Sequence, residues 1–225
     1  MTQETWYIYG AGGLGRETMD ILRHAIQVGA VAPHQLAFLE DGTAPREVDG
    51  LPVLDPSHCT PGAKVTIAVG EPAIRRILWD KALALGLVPA NVISPTAFVS
   101  PTARLGRGIT ICPQCSIQSQ AQLDDNAHIN TLAIIGHDIH VGAHGVISSM
   151  VNLGGAVVVG EESYVGMGAL VKEGLTIGAR SIVGMGSVVY KDVPDDVIAL
   201  GNPARVARRN EDQRVFKKTK VENDQ

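Results

Sequence analysis

The chain has 225 residues and a mass of 23.7 kDa, enough for one large domain or two small ones with a buried core. Its 19 Lys and Arg residues against 23 Asp and Glu residues give a net charge of −4, which argues against a broad basic surface for nucleic acid. Three cysteines make no disulfide framework, and residues 1–15 lack the basic and apolar stretches of a secretory signal, so we expect a cytoplasmic protein.

Residues 1–90 have the pattern of a small α/β domain. Apolar runs at residues 6–9, 36–39 and 65–69 predict three strands. Helical spacing of apolar residues follows the first run, and a second helix is predicted over residues 73–85. The alternation predicts a small parallel sheet that resembles half of a Rossmann fold.

A glycine-rich turn, Gly10-Ala11-Gly12-Gly13-Leu14-Gly15, joins the first strand to the first helix. Free N–H groups and the helix dipole attract anions at such a turn, and Glu40 and Asp41 at the end of the next strand can accept hydrogen bonds from a ribose. NAD is disfavoured because about 90 residues hold only one mononucleotide-binding half. The turn therefore predicts binding of a ligand other than NAD, and a purely structural turn is the alternative.

From residue 93 to residue 189, every sixth residue is Ile, Leu or Val. A period of six fits neither an α-helix nor alternating strands, and it predicts a parallel β-helix in which three hexads form one triangular coil. Many of these residues are followed directly by Gly, which we ascribe to tight turns. The register predicts five to six coils, and its 17 positions are Ile93, Val99, Leu105, Ile111, Ile117, Leu123, Ile129, Ile135, Val141, Ile147, Leu153, Val159, Val165, Val171, Ile177, Val183 and Val189.

The segment of residues 139–160 contains no charged residue and is long enough to suggest a transmembrane helix. Its glycines, its histidines and the unbroken six-residue register argue against membrane insertion. Charge depletion is typical of interface cores, so we expect another subunit to cover this part of the solenoid.

Two motifs suggest metal or redox chemistry, but their positions in the repeat favour packing. Cys112 and Cys115 match C-x-x-C, yet no second pair exists, and Cys115 falls where other hexads have small residues. His128, His137, His140 and His144 lie on different faces and corners of a six-residue period, so no metal site is expected.

His137 has a more suggestive context. It lies two positions beyond the inward-facing Ile135, and Asp138 follows it directly. An outward imidazole with an acidic neighbour is a candidate general base. Beyond residue 205 the sequence becomes charged, and residues 206–225 are predicted to form a frayed or disordered tail.

Together these motifs identify a family resemblance over residues 6–206. The glycine turn, Phe38-Leu39-Glu40-Asp41, Val69-Gly70 with Ile74-Arg75, Ile135-Gly136-His137-Asp138 and Gly201-Asn202-Pro203-Ala204-Arg205 resemble the sialic acid O-acetyltransferase-like (NeuD/PglD-type) sugar acyltransferases. The resemblance implies a left-handed β-helix for residues 91–205 and a nucleotide-sugar-binding α/β domain for residues 1–90.

The resemblance also implies a homotrimer with acetyl-CoA lying along the solenoid between subunits, and it implies no metal. His137 would be the general base and Asp138 would orient it, where many members have Glu. Some relatives place a second His nine residues further on, a position that is Val146 here. The implied nucleotide-sugar positions are Gly12, Gly13, Leu14, Glu40, Asp41 and Ile74, and the implied backbone contacts to CoA are at Met167 and Met185.

The function that we expect is acetyl transfer from acetyl-CoA to the amino group of a nucleotide-linked deoxyamino sugar, by direct attack on the thioester. A hydroxyl acceptor, as in sialic acid O-acetylation, is the nearest alternative, and it depends more on the base because an alcohol is a weaker nucleophile than an amine. A nucleotide-binding trimeric scaffold without catalysis is the alternative from another class.

Overall fold

The computed structural model describes residues 4–32 and 34–216. Its N-terminal region follows the order β1 (Thr5–Tyr9), α1 (Gly13–Gln27), β2 (Gln35–Leu39), β3 (Arg46–Val48), β4 (Leu51–Leu54), a 3₁₀ turn (Pro56–His58), β5 (Lys64–Ile67), α2 (Pro72–Ala84) and β6 (Val88–Pro89). The sheet order is β3-β4-β2-β1-β5-β6, parallel except between β3 and β4. The predicted α/β region is confirmed.

The β3–β4 hairpin was missed in the sequence analysis. It turns at Asp49 and Gly50, both with positive φ, and Asp-Gly is a common pair for such a turn. The strand β3 is exposed and polar, so it has no apolar run by which it could be recognised.

The predicted parallel β-solenoid is also confirmed. Each strand pairs with the strand 18 residues further along, for example Thr110 with His128, so three hexads make one coil. Its two-residue strands are β7 (Val92–Ile93), β8 (Phe98–Val99), β9 (Arg104–Leu105), β10 (Thr110–Ile111), β11 (Ser116–Ile117), β12 (Gln122–Leu123), β13 (His128–Ile129), β14 (Ile134–Ile135), β15 (His140–Val141), β16 (Val146–Ile147), β17 (Asn152–Leu153), β18 (Val158–Val159), β19 (Tyr164–Val165), β20 (Leu170–Val171), β21 (Thr176–Ile177), β22 (Ile182–Val183) and β23 (Val188–Val189).

These strands form three sheets, the faces of a triangular prism. Face 1 contains β7, β10, β13, β16, β19 and β22, face 2 contains β8, β11, β14, β17, β20 and β23, and face 3 contains β9, β12, β15, β18 and β21. Face 1 is extended by β24 (Val197–Gly201) and by β25 (Ala204–Arg209), which is antiparallel to β24. The periodic aliphatic residues fill the interior, as Ile111, Ile129 and Ile147 show by their complete burial.

The glycines that follow the periodic residues have a different role from the one expected. A Cβ on Gly142 would lie 2.6 Å from the backbone nitrogen of Glu161, and one on Gly160 would lie 2.4 Å from that of Ala179. These glycines therefore allow successive coils to pack closely. The tight corner falls two residues later, where residues such as Asn126 adopt the left-handed conformation.

The prediction of a frayed tail from residue 206 is wrong for residues 206–209, which belong to β25. Pairing with β24 satisfies this part of the backbone, and charge along an edge strand is common. Further on, the backbone N–H groups of Val215 and Phe216 donate to the Glu71 carboxylate at 2.7 and 3.1 Å. Residues 217–225 lie outside the described residues.

Arg75 joins the α/β region to the solenoid. Its side chain is fully buried, and its guanidinium donates to the carbonyl oxygens of Ile67 and Val69 and to the backbone and side-chain oxygens of Asn126. All of these acceptors are neutral, and burial lowers the pKa of Arg75 to about 9. The end of β5 is thereby held against a corner of the solenoid.

Neither helix among the described residues is long and apolar enough to cross a membrane.

His128 is another buried titratable group, close to the Arg75 charge. It is fully buried on face 1, and its two ring nitrogens have no hydrogen-bond partner among the described residues. Burial, with the Arg75 charge nearby, lowers the pKa of His128 to about 3. Between pH 3 and its usual value of 6.5, the unfolded chain therefore binds a proton that the folded chain does not, and stability falls as pH falls.

Replacing His128 by Leu should remove this acid sensitivity. Between pH 6.5 and pH 5 the wild type should lose about 2 kcal/mol through this residue, whereas the variant should not. Urea unfolding at both pH values and one protein concentration measures the difference. The exposed His24→Gln variant should keep the wild-type slope, and equal slopes for His128→Leu and the wild type would contradict the prediction.

Candidate functional site

The glycine turn lies at the carboxyl edge of the central strands. Gly10 has a φ of 118°, and a Cβ on Gly15 would lie 1.9 Å from the Gly10 carbonyl oxygen, so these two glycines are required by the fold. A Cβ on Gly12 or on Gly13 would meet nothing within 4 Å. Space beside these two glycines is therefore open where the first N–H groups of α1 lack helical partners, as an anion-binding turn requires.

The acidic pair lies at the same edge, at the end of β2. Asp41 accepts a hydrogen bond of 2.6 Å from the Tyr9 hydroxyl and forms an ion pair with Lys81. Burial and the Asp41 contact raise the pKa of Tyr9, which keeps its hydroxyl a donor. Glu40 accepts from Arg46 at 2.6 Å. Asp41 is thus oriented from two sides, and both its contacts use Oδ1, which leaves Oδ2 for a ligand.

Two further predicted positions flank this edge. The Leu14 side chain lies 3.9 Å from the Cβ position of Gly70, and Ile74 is partly exposed on α2 beside Arg75. The structure therefore brings Gly12, Gly13, Leu14, Glu40 and Asp41 to one sheet edge, with Ile74 on the adjoining helix.

His137 and Asp138 occupy the corner between faces 2 and 3. His137 Nδ1 lies 2.7 Å from Asp138 Oδ2, and the two side chains are 64% and 60% exposed. Asp138 adopts a left-handed backbone conformation with a φ of 58° and donates its N–H to the Ser119 carbonyl. An Nδ1–H donated to the carboxylate leaves Nε2 unprotonated, so that it can accept a proton.

The imidazole of His137 lies against Gly155, which the sequence analysis did not single out. A Cβ on Gly155 would lie 2.5 Å from both Cε1 and Nε2 of the ring. Gly155 follows His137 by 18 residues, the length of one coil. The coil length was therefore the signal that could have identified it: the residue directly above a catalytic candidate in the stack limits where its side chain can lie.

Met167 and Met185 lie on another corner, between faces 1 and 2. They line a cavity of about 820 Å³ together with Tyr164, Arg214 and Phe216. Met185 is 76% exposed. Most residues that line the cavity are apolar, and Arg208 and Arg214 also line it, a combination that suits a ligand with both apolar and anionic parts.

A single chain does not bring all of these groups together. Phe216 connects the methionine corner to the glycine turn, because its ring lies 3.5 Å from the Cβ position of Gly70 and 5.7 Å from the Tyr164 ring. His137 lies at the opposite edge of face 2 from Met167 and Met185. The base candidate and the methionine corner therefore belong to separate edges of one prism.

The remaining motifs lie where their side chains pack inside the fold. Burial raises the pKa values of Cys112 and Cys115 to about 12 and 11, which agrees with a packing role. Val146 is buried on face 1. Within residues 4–32 and 34–216, no three His, Cys, Asp or Glu side chains are placed to hold a metal ion.

Comparison with known proteins gives a relative that matches over most of its length. A GDP-perosamine N-acetyltransferase of Escherichia coli O157:H7 is 32% identical over 213 residues, which cover 90% of this chain and 96% of the relative. No protein-family model matches the chain.

Solved structures of sugar acetyltransferases have the same fold as this chain. PerB of Caulobacter crescentus, in complex with CoA and GDP-perosamine, superposes with a TM-score of 0.81 at 34% identity, over 90% of this chain and 96% of that one. The acetyltransferase domain of PglB from Neisseria gonorrhoeae, in complex with acetyl coenzyme A, superposes with a TM-score of 0.83 at 32% identity, over 91% and 99%. Other structures of the C. crescentus enzyme carry a His→Asn or His→Ala substitution.

Gly12→Val should separate ligand binding from folding at the turn. Because a Cβ at residue 12 enters open space, the variant should keep the wild-type melting temperature. It should nevertheless weaken nucleotide-sugar binding, since its side chain blocks close approach to the backbone, and leave CoA affinity nearly unchanged. Calorimetry with each ligand measures both affinities.

Gly15→Val is the matched control, because its Cβ overlaps the Gly10 carbonyl and should destabilise the fold. Equal loss of both ligands by Gly12→Val, or tight NAD binding by the wild type, would contradict the assignment.

Proposed function

Since the chain belongs to the family of hexapeptide-repeat sugar acetyltransferases of the NeuD/PglD type, we propose that it transfers the acetyl group of acetyl-CoA to the amino group of a nucleotide-linked deoxyamino sugar. The observation that carries this proposal is the exposed His137 imidazole, held by Asp138 at Nδ1 and by Gly155 at its face. The wider role is bacterial surface-glycan biosynthesis, in the cytoplasm.

In this proposal residues 1–90 bind the nucleotide-linked sugar, and residues 91–205 bind acetyl-CoA and supply the base. The open backbone at Gly12 and Gly13 receives the diphosphate, with Leu14 and Ile74 beside it. Asp41 and Glu40 accept hydrogen bonds from the nucleoside. The backbone of Met167 and Met185 contacts CoA along the methionine corner.

The chemistry needs one proton acceptor. The neutral amine of the sugar attacks the thioester carbonyl, and His137 Nε2 takes the proton that the nitrogen loses as the C–N bond forms. The thiolate of CoA leaves without an enzyme nucleophile. Asp138 holds Nδ1–H and stabilises the imidazolium that forms.

A homotrimer completes the site. His137 and the methionine corner lie at opposite edges of face 2, so in one chain the base does not face the thioester. Face 2 exposes Phe98, Ile134 and Leu170, an apolar surface that a second copy of the solenoid can cover. We propose that His137 of one protomer lies beside the methionine corner of its neighbour.

Removing the base should lower turnover more than binding. His137→Asn should reduce kcat by roughly 10²–10⁴-fold with little change in CoA affinity, the usual contribution of positioned proton transfer. Asp138→Asn should lower kcat by a smaller factor, since Asn tolerates the same left-handed backbone conformation. Gly155→Ala keeps the imidazole but displaces it, and should also lower kcat. Thiol release from acetyl-CoA with GDP-, UDP- and dTDP-linked amino sugars measures turnover.

The amine acceptor makes a further distinction. Activity should rise with pH as the substrate ammonium loses its proton, and His137→Asn should regain part of its deficit at high pH. Near-normal turnover by this variant at neutral pH would remove His137 from the mechanism. Turnover of hydroxyl acceptors alone would establish O-acetylation instead.

The composite site can be tested by combining two impaired variants, one in the base and one in the nucleotide-sugar site, at a low concentration of the nucleotide sugar. Light scattering should give a mass near three times 23.7 kDa. If the base and the sugar site of one reaction come from different protomers, His137→Asn and Gly12→Val refolded together should recover about a quarter of wild-type activity, because one interface in four pairs two intact halves.

Separately refolded variants mixed afterwards are the control and should stay as impaired as each variant is alone. No recovery in co-refolded trimers, or a stable active monomer, would show that each chain is self-sufficient.

A further inference from the structure

The segment Asn210–Phe216 runs from β25 back across the α/β region. Asn210 is buried and donates its side-chain amide to the Arg180 carbonyl at 2.7 Å. Five residues later, the N–H groups of Val215 and Phe216 donate to the two carboxylate oxygens of Glu71, 144 and 145 residues away in sequence. The segment is therefore attached at both ends, once to each region of the chain.

Glu71 is well placed to hold this segment. It is a buried acidic residue that directly precedes α2 and follows Gly70, in the loop after β5. A buried carboxylate needs hydrogen-bond donors, and these two N–H groups are the donors it has among the described residues. The position of Phe216 is thereby tied to the edge of the sheet that carries the glycine turn.

The Phe216 ring lies between the two halves of the proposed site. It covers Gly70, whose Cβ position is 3.5 Å from Cε2 of the ring and 3.9 Å from Leu14 Cδ2. On its other side it meets Tyr164 edge-on, at 5.7 Å between ring centroids and an interplanar angle of 82°. It also lines the 820 Å³ cavity with Met167 and Met185. The ring borders this space without filling it, and 55% of its surface is exposed.

A nucleotide-linked sugar must cross this position. Its diphosphate lies at the glycine turn, and its amino group must reach the thioester at the methionine corner, so the hexose lies between them. We propose that Phe216 forms the wall against which the hexose packs, and that Glu71 is a positioning residue that holds Phe216 there. This inference rests on the proposed function. The apolar face of a deoxyhexose suits contact with an aromatic ring.

Comparing a nucleotide sugar with its nucleotide isolates this contact. Calorimetry without acetyl-CoA uses the GDP-, UDP- or dTDP-linked 4-amino-4,6-dideoxyhexose that the wild type binds most tightly, and the matching nucleoside diphosphate. Phe216→Ala should lower the affinity for the sugar nucleotide by about three- to tenfold, the range for loss of one aromatic contact. Its affinity for the diphosphate should not change. Phe216→Tyr, which keeps the ring, should bind both ligands as the wild type does.

Two further variants exclude indirect effects. Val206→Ala removes an apolar side chain of similar exposure, 52%, from β25; Val206 does not line the cavity, so this variant should change neither affinity. Glu71→Gln should lower the affinity for the sugar nucleotide and leave that for the diphosphate unchanged. The double variant Glu71→Gln/Phe216→Ala should bind the sugar nucleotide as tightly as Phe216→Ala alone, because both substitutions act through one ring.

The outcomes separate this inference from the proposed function. If Phe216→Ala lowers the affinities for the sugar nucleotide and the diphosphate equally, or lowers neither affinity, the role of Phe216 is overturned. Additive effects of the two substitutions overturn the role of Glu71. Sugar-nucleotide binding without acetyl transfer overturns the proposed function while the affinities still decide the inference. A wild type that binds none of the three sugar nucleotides overturns both.

Discussion

The buried guanidinium of Arg75 is the interaction on which the geometry of this protein depends. It uses its five N–H donors on Ile67, Val69 and Asn126, and so joins the end of β5 to a corner of the solenoid. Burying a charge on neutral acceptors is costly and is tolerated only when every donor is satisfied. These hydrogen bonds fix the position of the sheet edge that carries the glycine turn relative to the solenoid that carries the methionine corner and His137.

Because successive coils stack every 18 residues, the solenoid fixes the neighbours of each corner side chain. Each corner lies directly above the corner of the previous coil, so the neighbours of a corner side chain are found one coil away in sequence. At His137 that neighbour is Gly155, whose lack of a side chain leaves room for the imidazole. Hydrogen bonding to Asp138 and contact with Gly155 together restrict the ring. In the proposed mechanism this matters because a base that is already oriented loses less entropy at the reaction.

Several parts of this arrangement were predictable because they depend on local spacing. The six-residue register indicated the strands and the inward residues of the coils, and Ile135 followed directly by Gly136, His137 and Asp138 located an outward imidazole with its carboxylate. The glycine turn and the acidic pair reached one sheet edge because carboxyl ends of parallel strands meet there. The glycines of the coils were correctly placed but explained by turns, whereas coil-to-coil contact requires them.

The sequence by itself thus determined the elements, the coil length and the chemical character of each candidate residue. Tertiary structure alone decided which of them meet. Arg75 with Asn126, His137 with Gly155 and Glu71 with Phe216 join residues 51, 18 and 145 positions apart. The first and last pairs have no periodic signal, because the path of the chain between two rigid regions depends on packing over the whole molecule. The separation of His137 from the methionine corner likewise follows only from the triangular cross-section, since it places the two on opposite edges of one face.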